Sequence, residues 1–143
     1  MAAGLGLAAA GLARLAPVVA DLSSNRLIRG DEPTVSDAAR DLHARLIVVD
    51  LHADTLLWAR NVLAESARGH VDLPRLRRGG VALQVFSSVT KVPRGLNYDT
   101  NGDDTDLITL LAITQGQPRR TWTSLLERSL HHADKLDRAL AKY

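Results

Sequence analysis

The stretch Leu46 to Asp54, LIVVDLHAD, limits what this chain can fold into more than any other. Ile47, Val48 and Val49 form a β-branched run with no helical period, and the run ends in His-Ala-Asp. Such a run predicts a strand buried on both faces, of the kind found in parallel sheets and barrels. Side chains alternate along a strand, so His52 and Asp54 point the same way if extended geometry continues past Leu51. An imidazole and a carboxylate at the carboxyl end of a buried strand sit where an α/β barrel carries its chemistry. Together they suit one face of a divalent metal ion. On the tripeptide alone a competing reading stands beside this one: Asp54 caps a helix that begins at Thr55.

The flanking segments read as helices and loops around that strand. Thr34 or Ser36 can cap a helix with Val35, Ala38, Ala39, Leu42 and Leu46 at helical spacing. After Asp54, Thr55 to Ala67 reads as a helix, interrupted near Arg60 and ended by Gly69. Asp72 can cap, and Pro74 can open, a short helix through Arg78. Gly79-Gly80 breaks the chain before a second predicted strand, Val81 to Val89, in which Gln84 is expected to point at a polar mouth. The loop Thr90 to Asp106 leaves the top of that strand, where active-site loops belong. Its cluster Asp99 to Asp106 starts like a calcium loop but has glycine at the wrong position and Leu110 where the bidentate glutamate is required. A helix capped by Asp103 or Asp104 accounts for it better, leading into Leu107, Ile108, Leu110, Leu111 and Ile113. Gly116 to Pro118 stops this helix, and the capping box Ser124-Leu-Leu-Glu127 opens a last one toward Tyr143, with Leu126, Leu130 and Ala133 on one face. His131 and His132 diverge by about 100 degrees on that helix, so they are read as part of a solvated face. His43 and His70 lie before the strands and are not assigned to the site.

The sequences VVDLHADTLL and HVDLPRLRRGGVALQVFS, the second running from His70 to Ser87, resemble the amino-terminal barrel region of the membrane dipeptidase family, the renal-dipeptidase-like zinc peptidases. That family reads roughly V-D-G-H-N-D at its first strand and V-D-L-P-R-L-x-x-G-G-V-x-x-Q-x-F/W at its second. Leu51 and Ala53 replace the usual Gly and Asn, while His52 and Asp54 are in place. The resemblance implies an α/β fold, the first strands and helices of a (β/α)8 TIM-type barrel, and a zinc-dependent metallodipeptidase with dipeptide substrates. It further implies two zinc ions, with His52 and Asp54 as ligands to one of them; a homodimer is compatible with it, and the sequence does not decide the oligomeric state. The bridging glutamate and two further histidines that it implies match no position here. The chain alone is therefore expected to be inactive, and no residue is assigned a catalytic role.

Residues 1–20 are nearly uncharged apart from Arg14 and read as an apolar helix serving as membrane anchor or signal; 21–33 read as a linker, and 34–143 as the barrel portion. The anchor is finely balanced. Leu and Val each favour insertion by roughly 0.3 to 0.6 kcal/mol, whereas a central Arg opposes it by about 2.5 to 3.5 kcal/mol. The resemblance supports a membrane-anchored or periplasmic location, with a cytoplasmic one as the alternative. A net charge of +2, with 3% aromatic residues, argues against nucleic acid as a partner. The absence of cysteine excludes disulfides and thiolate metal sites. A reading from another class is a truncated, non-enzymatic segment that is tethered to the membrane or binds a partner.

Overall fold

A computed structural model describes residues 15–28, 30–31 and 33–143, and in it the LIVVDLHAD stretch forms strand β1, Val48–Ala53. A second strand, β2 (Val81–Phe86), pairs with it in parallel, with Val48 opposite Val81 and Asp50 opposite Gln84. Helix α1 covers 15–24, and α2 is Asp37–His43. Helix α3 (Leu73–Arg78) lies between the strands in sequence, and α4 (Leu107–Thr114) and α5 (Leu125–Leu140) follow β2. The chain is thus mixed α/β with a two-stranded parallel sheet.

The strand expected to be buried on both faces is not. Ile47 and Leu51 are 83% and 72% exposed, and Val49, Leu83 and Val85 are also exposed. A parallel sheet hides its apolar side chains only when layers cover both faces. Here α3 and α5 adjoin β2, where Leu73, Leu76, Leu136 and Leu140 line a cavity of about 200 Å³ with Gln84 and Phe86. Partnered across the ladder, Val49 and Leu83 share the other face with Leu51 and Val85, and that face is bare.

Capping chemistry sets most of the helix starts. Ser36 accepts from Ala39 N–H, Asp72 from Arg75 N–H and Ser124 from Glu127 N–H. Asp106, rather than Asp103 or Asp104, caps α4 by accepting from Ile108 N–H. Ser124→Ala is expected to cost about 1 kcal/mol of stability, read as a lower melting temperature by circular dichroism. The helix expected over Thr55 to Ala67 is only a 3-10 turn, Thr55–Leu57, and Asp54 makes no capping bond to it. Val62 O instead accepts from Leu73 N–H, and Arg60 turns toward Asp21.

Residues 21–26 are not the free linker that their polarity suggests. Asp21 is buried and accepts from Arg68 Nε at 3.0 Å and Asn25 Nδ2 at 2.8 Å, with Arg60 Nε 3.4 Å away. Arg26 forms an antiparallel bridge with Arg68. In contrast α2 buries no residue, so its Val35 and Leu42 face is exposed. Residues 1–14 of the expected anchor lie outside the described residues; among those described, no helix is long and apolar enough to cross a membrane.

The core is small and polar. Its buried apolar side chains are Ala53, Leu56, Leu57, Val62, Ile108 and Ala112, and they sit beside buried Asp72, Gln115, Gln117, Thr121, Arg128 and His132. Burial of so little apolar area makes the hydrogen-bonded side chains decide whether the elements stay together. Helix α5 turns its polar stripe, including the His132 expected on a solvated face, toward the core. Leu126 and Leu130 are 68% and 51% exposed, whereas Arg128 and His132 on the inner face are 0% and 1% exposed.

Candidate metal-binding site at the strand ends

Extended backbone carries β1 through His52 to Ala53, and the chain then turns at Asp54 (φ −89°, ψ 22°). The two side chains meet there: His52 Nε2 is 3.2 Å from each carboxylate oxygen of Asp54. Donors bound at about 2.0 to 2.2 Å to one tetrahedral zinc stand about 3.4 Å apart, so this spacing suits a shared ion. The pair is open to ligands, with side-chain exposures of 71% for His52 and 39% for Asp54.

Neighbouring groups hold the pair in place. Ser87, the residue after β2, donates through Oγ to Asp54 Oδ1 at 2.8 Å, tying the carboxylate to the second strand. Behind His52, its own N–H donates to Asp50 Oδ1 at 3.1 Å. That N–H, and then the Gln84 amide, keep the Asp50 carboxyl below its ordinary value. Gln84 itself donates to Val85 O, and its Oε1 is buried without a partner.

Comparison of the chain with protein families, with curated proteins and with solved structures returns no match.

The donor chemistry of His52 and Asp54, a nitrogen and a carboxylate, fits zinc, but the number of donors falls short of a complete centre. Among the described residues, no group of three or more His, Cys, Asp or Glu is placed to hold a metal ion. Catalytic zinc takes three protein ligands and leaves a position for water. The pair therefore fits part of a centre. His43 and His70 are exposed and take no part in the site. The acidic loop likewise folds on itself: Asn97 Oδ1 accepts from the N–H groups of Asp99 and Thr100.

Sequence reasoning missed His132. Read as solvated, it is buried beneath the strand ends, where Nδ1 meets Ser88 Oγ at 2.8 Å and Nε2 has no partner. Burial first, then the nearby His131, Lys135 and Arg128, lower its pKa to about 4, with Asp54 pulling the other way. The imidazole is thus neutral at pH 7, close enough to Asp54 to sense its charge, and outside any three-donor set. The signal available in the sequence was the spacing of Arg128, His132 and Lys135, one polar stripe along α5.

Proposed function

We propose that this chain carries part of a zinc-dependent peptidase site of the membrane dipeptidase type, acting on dipeptides, with His52 and Asp54 as donors to one metal ion. The observation that carries this reading is the convergence of His52 Nε2 on the Asp54 carboxylate at the carboxyl end of a parallel strand. The order of the two motifs, VVDLHAD and then VDLPRLRRGGVALQ, supports it independently of that geometry. Bound zinc supplies Lewis acidity and a hydroxide at neutral pH. The residues here present an imidazole nitrogen and a carboxylate, and Ser87 fixes the carboxylate by its hydrogen bond. The bare face of Val49, Leu51, Leu83 and Val85 supports a place for the sheet within a larger (β/α)8-type barrel. Two strands alone are marginal.

Cobalt is a spectroscopic substitute for zinc, so the test is Co²⁺ titration of the tag-free 143-residue chain, followed by absorption and paramagnetic NMR shifts. The expected result is one weak site that disappears in both His52→Ala and Asp54→Ala, and no hydrolysis of dipeptides by the chain alone. Unchanged Co²⁺ affinity in both variants would overturn the assignment. Hydrolysis that vanishes in His52→Ala would overturn the two-donor limit instead.

A further inference from the structure

On the side of α5 that carries His131, Lys135 and Arg138, a cavity of about 370 Å³ opens between the helix, the segment after the first 3-10 turn and the end of α4. Arg60, Lys135, Arg138 and His131 line it, with Trp58 and Gln115. Its basic wall continues into an adjoining space of about 220 Å³ that adds Lys142. Among the described residues, no aspartate or glutamate lines either space. The whole chain has a net charge of only +2, so this concentration of cations is local.

The cations are incompletely neutralised. Asp21 of α1 lies 3.4 Å from Arg60 Nε but makes its closer contact, 3.0 Å, with Arg68; Arg60 Nη1 donates to Arg68 O, and its Nε has no hydrogen-bond acceptor among the described residues. Arg138 meets only the exposed Asp134, one turn back, at 3.3 Å. The ammonium of Lys135 donates to the Leu56 and Trp58 carbonyls and has no carboxylate partner among the described residues. Burial, then Arg60 and Arg138, lower its pKa to about 8, and Asp21 offsets this only in part. His131 shifts down for the same reasons, burial first and then Lys135, Arg138 and Arg120. An anion entering the cavity would relieve this repulsion.

We infer that the cleft is a binding site for a small phosphate dianion, either free phosphate or a phosphate monoester. Three positive side chains around one cavity match a charge of about −1.5 to −2, whereas a monocarboxylate needs a single partner. The exposed guanidinium fork of Arg138 suits a tetrahedral oxyanion and Lys135 adds a point charge, while Arg60, whose Nη1 donates to Arg68 O, adds its field from the wall. The cavity is about the size of known small-molecule pockets, roughly 300 to 1,000 Å³, so it has room for a small organic group beside the phosphate. This inference is independent of the zinc reading, because none of these residues belongs to the His52–Asp54 pair.

The test is calorimetric titration of the full chain with inorganic phosphate and, separately, with ethyl phosphate, at constant ionic strength. Saturable one-to-one binding is expected for at least one of them. Lys135→Met and Arg138→Gln should each weaken it by about tenfold, since each removes a charge-assisted contact. Arg94→Gln removes the same charge outside the cleft and should change it by less than about twofold, because distant surface charges are screened. Arg138 is 61% exposed, so its variant reports even if Lys135→Met fails to fold. Tighter binding of ethyl phosphate would assign the site to a phosphorylated metabolite, and equal or weaker binding to free phosphate. Absence of saturable binding of either anion, or equal affinity in Arg138→Gln and wild type, would overturn the inference.

Discussion

Replacing Arg128 by methionine is expected to remove about 3 to 5 kcal/mol of folding stability, the cost of breaking a buried, hydrogen-bonded ion pair from one side. All five N–H groups of its guanidinium are used, and the residue is 0% exposed. Nε donates to Thr121 O at 2.6 Å; one terminal nitrogen donates to Thr90 O and to Asp106 Oδ2, the latter at 2.6 Å. The other donates to Thr109 Oγ1 at 2.9 Å and Trp122 O at 2.5 Å. One side chain thus joins α5 to the second 3-10 turn (Arg119–Thr121), to the loop after β2 and to the cap of α4. Methionine would keep much of the volume but withdraw the charged donor from the Asp106 carboxylate and one donor from each of three carbonyls. Lysine should recover little, because it has three donors without the planar fork. Urea unfolding followed by tryptophan fluorescence measures the loss; a change below about 1 kcal/mol, the size of an ordinary surface substitution or less, would contradict it.

Acid is expected to weaken the fold in two separate windows, the first of them set by His132. The folded pKa of this imidazole is about 4, against an ordinary 6.5. Above pH 6.5 both folded and unfolded chains hold it neutral, and it has no effect. As pH falls from 6.5 toward 4, the unfolded chain takes up a proton that the folded chain refuses, so stability declines, by an amount on the order of 2 kcal/mol. Asn in place of His132 preserves a partner for Ser88 near the position of Nδ1 and should remove most of this slope. Part will remain, because His131 shifts in the same direction. The second window belongs to Asp106. Burial works to raise its carboxyl pKa, but Arg128, Ile108 N–H and Thr109 more than offset this, and the net shift is downward. Its contribution is present above the ordinary value of 3.8 and is lost as pH falls through the lower folded value. Urea midpoints measured from pH 7.5 to 2 distinguish the two; a flat wild-type profile between 6.5 and 4.5 would contradict the His132 account.

The proximity of His52 and Asp54 was legible because a strand's period of two points residues i and i+2 to the same face. The short helix from Asp72 to Arg78 was legible for a similar reason, since Asp72, Pro74 and Gly79 act through contacts within one or two turns. Asp106 shows the limit of such reasoning. Three aspartates near the start of α4 offer equivalent caps by type, and Asp106 is the one that also meets Arg128, a contact 22 residues away. Ser87 as the tether of Asp54, 33 residues distant, carried no local signal at all.

The sequence by itself determined the α/β composition, the start of β1 close to Val48, most of the helix caps and the His52–Asp54 pairing, because each depends on neighbours a few residues apart. Tertiary structure decided which stripe of α5 is inside, and it favoured Arg128 and His132 over Leu126 and Leu130. Hydrophobic periodicity ranks side chains by their affinity for water; it cannot count the distant carbonyls, hydroxyls and carboxylate that make burying a guanidinium the better solution. The same long-range pairing turned Asp21 inward from an apparent linker and gathered Arg60, Lys135 and Arg138 around one cavity.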